Sequence, residues 1–123
     1  MNADDLELRL VKFGVRCTML CRALPIEEYY DAKHVANQLL RSGTHAGFHY
    51  PEARSAESRR DFLHKLKVLL KELREARAEL RYVYHMNYVA PHRVTPLLKE
   101  ASELIAIFMA TTKKLSRPNE QAA

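Results

Sequence analysis

Glycine is scarce in this chain, with three residues in 123, and cysteine occurs only twice. Few glycines exclude a fold built from many tight turns. β-Branched residues are also few and never alternate over a strand length, which argues against a sheet. Long apolar runs are missing too. The longest, Leu104–Ala110, falls far short of the ~20 residues that span a bilayer. Cys17 and Cys21 are one turn apart, where side chains on one helix run parallel and do not meet in disulfide geometry. That usage points to a reducing compartment. The opening Met-Asn-Ala-Asp-Asp is acidic where a secretory signal needs positive charge. A soluble cytoplasmic protein is expected. No catalytic constellation is visible, so the expectation is a protein that is not an enzyme and needs no cofactor.

What is present is the composition of long helices, dominated by Ala, Leu, Glu, Lys and Arg. Phe62, Leu66, Leu69, Leu73, Ala76, Leu80 and Val83 repeat at alternating steps of four and three, a heptad seam. Leu6, Leu10, Phe13, Cys17, Leu20 and Leu24 form another. Four helices are predicted, over about 4–24, 27–50, 58–86 and 94–115. Asp4, Asp5 and Glu7 favour the first start and Pro25 its stop. Ala32, Ala36, Leu39, Gly43, Ala46 and Tyr50 form a stripe of mostly small residues that lets a neighbouring backbone come close. Pro51 is expected to end or kink the second helix. Ser58 and Asp61 can form a capping box for the third, and Thr95 can cap the fourth. Short connections make neighbours antiparallel. The predicted fold is all-α, an antiparallel up-and-down four-helix bundle in one domain over 1–116, with a flexible tail at 117–123.

The first and fourth helices carry more apolar residues than one core stripe needs. Leu8, Val11, Val15 and Met19 lie beside the first seam. Val94, Leu98, Ile105 and Met109 lie beside the line Leu97, Ala101, Leu104, Phe108 and Leu115. Left exposed, this surplus would form a patch that soluble monomers avoid. Self-association through it is one reading; a wide stripe inside one monomer is the other.

Net charge is +5, and it is uneven: residues 58–90 hold eight Lys/Arg against four acids, residues 26–57 three against five. A basic balance favours anionic partners. Lys67, Lys71, Arg74 and Arg81 fall on one side of the third helix, with Arg59 and Arg60 near its start. Lys65 and Arg77 complete the candidate nucleic-acid-binding set. The alternative is a solvated face in which Glu72, Glu75 and Glu79 neutralise neighbouring cations. His45, His49 and Glu52 have the spacing of a partial metal site but lack the Glu directly after the first His that a metalloprotease needs. Ordinary surface histidines are the simpler account. Cys17, on the apolar seam, reads as a small core residue.

The order Leu39-Leu40-Arg41-Ser42, Tyr50 with Glu52-Ala53, Ser58, Asp61-Phe62, Lys65-Leu66 and Lys71-Glu72 resembles the four-helix bundle family of 23S ribosomal RNA intervening-sequence proteins. The resemblance covers the middle third of the chain. It implies up-and-down bundles that assemble into rings of five, and mostly without established activity. A related protein, the accessory variability determinant of diversity-generating retroelements, is a basic pentameric barrel that works with a reverse transcriptase and binds nucleic acid. His45 and His49 depart from the small or amide residues usual there. Ala78 and Glu79 replace a frequent Tyr-Trp pair, and proline at 51 is unusual. The resulting expectation is a homo-oligomeric, pentameric scaffold that associates electrostatically with RNA, DNA or a nucleic-acid-processing enzyme such as a reverse transcriptase. The alternative is a protein–protein scaffold without nucleic acid. No membrane partner is expected.

Overall fold

The heptad seams become the inner faces of long rods. The computed structural model describes residues 1–117. Its helices are α1 (Ala3–Ala23), α2 (Tyr30–Arg54), α3 (Arg59–Met86) and α4 (Thr95–Ser116), with a single 3₁₀ turn at Pro91–Arg93. They form an antiparallel four-helix bundle in which α1 packs on α2, α2 on α3 and α3 on α4. α4 meets α1 more lightly. Among the described residues there is no strand. The tail expected at 117–123 lies, from 118 on, outside the described residues.

Boundaries moved where local chemistry outweighed pattern. Asn2 caps α1: its side chain accepts from the Asp5 N–H at 2.8 Å, and the Asp5 carboxylate accepts from the Asn2 N–H at 3.2 Å. α2 starts three residues later than expected, because Glu28 and Tyr29 close a turn onto the Pro25 carbonyl. It also runs through Pro51 to Arg54, four residues past the expected end. Pro51 faces solvent. The turn beyond it is held by burial of Ala53 and by Arg54, which reaches Asp4 at 2.8 Å and Glu7 at 3.3 Å on α1. Ser58 caps α3 by accepting from the Asp61 N–H at 3.0 Å. The reciprocal half of the box is displaced, since the Asp61 carboxylate accepts from Glu57 N–H instead. Thr95 is not the cap of α4 but its first residue, following the buried Val94.

Every member of the two seams from Leu6 to Leu24 and Leu66 to Val83 is buried, as is the small-residue stripe of α2. That stripe brings backbones together. A Cβ placed at Gly47 would meet the Val11 Cα at 3.0 Å, and one at Gly14 the Thr44 Cα at 3.2 Å. α4 closes on α1 through a fork: Arg9 donates Nε and Nη2 to the two carboxylate oxygens of Glu100 at 2.9 and 2.6 Å, and Nη2 to Glu103 at 2.7 Å. Among the described residues no helix is long and apolar enough to cross a membrane.

Candidate nucleic-acid interface

Positions on α3 follow from their offset to its core seam. Two residues before each seam residue is a turn of about 200°, so that line lies opposite the core. It reads Arg60, His64, Lys67, Lys71, Arg74, Ala78, Arg81, and continues one step to His85. All eight are exposed. The ridge is therefore outward-facing and free of acids over roughly 37 Å at ~1.5 Å per residue. Among the described residues, Lys67, Lys71, Arg74 and Arg81 form no ion pair.

The acids fall one residue before the seam, on the flank that faces α2. Arg41 of α2 lies 3.8 Å from Glu72 and 3.6 Å from Glu75. The buried Ser42 hydroxyl donates to Glu79. Burial pushes the Glu79 carboxyl above its ordinary range, partly offset by that hydrogen bond. One oxygen of Glu72, Oε2, is buried without a partner. The three glutamates thus serve the α2–α3 contact and form no ion pair with the ridge cations among the described residues.

The eight sequence-selected cations divide accordingly. Arg60, Lys67, Lys71, Arg74 and Arg81 share the ridge. Lys65 does not: it is on the α2 flank, half-buried, with Nζ 2.9 Å from Asp61. Arg77 is half-buried on the other flank, toward α4. Arg59 donates to the carbonyls of Lys114 and Leu115 at 3.5 and 3.3 Å, so it tethers the C-terminus of α4. Sequence reasoning missed Lys113. It stands across a groove from Arg74, over a floor that includes Leu70, Met109 and Ala110. His64 and His85 were also missed as ridge members, although their heptad offset marks them.

The surplus apolar surface stays exposed on α1 and is largely taken up inside the bundle on α4. On α4, Val94 and Ile105 are buried and Leu98 half-buried, so the second line is absorbed within the monomer and only Met109 is exposed. On α1, Leu8, Val11, Val15 and Met19 stay exposed, and Phe48 of α2 is 72% exposed beside them. Val11, Val15, Met19 and Phe48 line a groove of about 300 Å³ floored by Gly14 and Gly47.

The remaining candidates are structural. His45 and His49 stack with ring centroids 4.1 Å apart, and His49 Nδ1 lies 3.4 Å from Glu52. Burial, then the neighbouring His49, lowers the His45 pKa. Among the described residues no three His, Cys, Asp or Glu are placed to hold a metal ion. Cys17 and Cys21 are buried and unbonded. Burial raises their thiols to about 12 and about 11, so both are held protonated at neutral pH.

Fold and site together define a four-helix bundle with one cationic flank and one apolar groove. No protein-family model matches the chain. No curated protein matches it either. Among solved structures, the chain is similar to a protein of unknown function from the S23 ribosomal protein family of Bacteroides thetaiotaomicron. The two are 27% identical with a TM-score of 0.78, over 88% of this chain and 98% of the other.

Proposed function

We propose that this chain is a non-catalytic subunit of a homo-oligomeric ring that binds nucleic acid, or an enzyme acting on nucleic acid, through the α3 ridge. The supporting observation is the separation of charge on α3. Arg41 and Ser42 occupy the glutamates, which leaves Lys67, Lys71 and Arg74 with no intramolecular carboxylate. Free cations in a line suit a phosphate backbone. The resemblance to 23S ribosomal RNA intervening-sequence proteins, and the likeness to the S23-family protein, support placing the chain in that group and a five-fold ring. A ring needs a heterologous interface. The groove of Val11, Val15, Met19 and Phe48 is the apolar half of it. Repetition of the ridge around the ring multiplies the positive field. The setting we assign is the cytoplasm.

Reversing Lys67, Lys71 and Arg74 together to Glu tests the ridge. Binding to RNA or DNA should be lost while helicity and the unfolding midpoint are retained. Binding unchanged in a folded triple variant would refute the assignment. The exposed groove on α1 and α2 favours one competing reading, a scaffold for another protein. In that case a specific partner survives nuclease treatment and nucleic acid does not bind.

A further inference from the structure

We infer that the ligand of the α3 ridge is double-stranded nucleic acid, gripped through its phosphates without base readout; this rests on the nucleic-acid reading above and narrows it. The first argument is shape. The ridge runs along the convex outer face of one continuous helix, whereas single-strand sites are grooves that track a flexible backbone beside stacking platforms. A duplex is itself stiff over this length, so little chain order is lost on laying it along the rod. Its charge density, one phosphate per ~1.7 Å of axis, also exceeds that of a single strand. A ridge of roughly 37 Å spans about one duplex turn at ~3.4 Å per base pair.

The second argument is the aromatic side chains. Stacking contributes ~1–3 kcal/mol per base in single-strand binders and needs exposed rings beside the cations. The only rings on the ridge are the imidazoles of His64 and His85; no Phe, Tyr or Trp lies on it. The groove beside Arg74 is floored by Leu70, Met109 and Ala110. The exposed tyrosines gather at one end of the bundle, where Tyr82 follows Arg81 on α3 and shares a cleft with Glu79. Tyr29 shares a cleft there with Tyr88, Glu28 and Asp31, and the Tyr88 hydroxyl donates to the Asp31 carboxylate. Those carboxylates repel the backbone that would bring bases to the rings.

The third argument is a cation on the neighbouring helix. Lys113 of α4 faces Arg74 across the groove. Packed helices lie ~8–10 Å apart, within the ~6–12 Å range of duplex groove widths. One strand's phosphates meet the α3 ridge while a phosphate of the other strand meets Lys113.

The test uses the full chain at one fixed salt concentration. Fluorescence anisotropy is read with a 24-base-pair DNA duplex, the RNA duplex of the same sequence, their separated strands, and a shuffled DNA duplex. At least one duplex should bind about tenfold tighter than its strands, with shuffling changing affinity by no more than about twofold. The tighter duplex identifies the natural chemistry. Lys113→Glu should weaken duplex binding several-fold with little effect on strands. Strands binding as tightly as both duplexes, or a tenfold effect of shuffling, would overturn this inference and leave the electrostatic reading standing. Absence of binding to every probe would overturn both.

Discussion

Gly43 of α2 lies against Cys17 of α1: a Cβ at position 43 would stand 2.8 Å from the Cys17 Cβ and 2.9 Å from its Sγ. Both neighbours sit on rigid helices in the core, so neither yields cheaply. Gly43→Ala gains about 1 kcal/mol of helix propensity and, with both contacts under 3 Å, meets an overpacking penalty in the upper part of the usual range, about 2–3 kcal/mol. We predict a net loss of about 1–2 kcal/mol in urea unfolding. Cys17→Ala keeps the closer atom, so the combined variant should remain less stable than Cys17→Ala alone. An equally or more stable Gly43→Ala protein would show that α1 and α2 are farther apart.

Glu79 gives a pH signature. Its folded-state pKa is raised by burial, so its contribution to stability is present below the ordinary carboxylate range and is lost as pH rises through the folded value. Glu79→Gln keeps an acceptor for Ser42 and removes the charge. Its thermal midpoint relative to wild type should climb between about pH 4 and the raised folded value, then level off. A difference that stays constant across that range would contradict the burial of this carboxyl.

Arg9 and Glu100 give the opposite sign. The hydrogen bond from Arg9 is the main cause of the lowered Glu100 pKa. The stability it provides is present above the ordinary carboxylate pKa and is lost as pH falls through the depressed one. Glu100→Gln should cost about 1–2 kcal/mol near neutral pH. The deficit should shrink toward pH 3, followed by denaturant titration at each pH. A pH-independent deficit would mean the fork contributes by shape alone.

Phe48 and Val15 test assembly. Both side chains are largely exposed, so Phe48→Glu and Val15→Glu should leave monomer stability within about 0.5 kcal/mol. Light scattering on a sizing column should show the wild type at several subunit masses and the double variant at one. A wild-type molar mass of one subunit at high concentration would rule out the ring.

The fold was legible because heptad spacing is a long-range, redundant signal: the core seams of α1 and α3 stand as spaced, from Leu6 to Leu24 and Leu66 to Val83. Boundaries were less so. Pattern at Pro51 predicts an end or a kink, and tertiary contacts, the burial of Ala53 and the reach of Arg54 to Asp4 and Glu7, carry the helix past it. The ridge was half legible. Lys67, Lys71, Arg74 and Arg81 follow from spacing, whereas the offset of Lys65, one residue before the seam, turns it to α2. Which acids neutralise which cations depends on Arg41, a residue of another helix. Lys113 joins the face only through the α3–α4 contact. The apolar surplus of α4 could not be placed from sequence, because whether Ile105 is spare depends on how closely the neighbouring helices approach.

The central claim is that phosphate neutralisation by the α3 ridge drives binding. The most direct measurement is duplex affinity across 50–200 mM salt. Five ridge cations from one subunit give a slope of log affinity against log salt near −4.5, a loss of about 500-fold, and a ring contacting the duplex with more subunits gives a steeper one. Affinity that holds steady across that range would contradict the account.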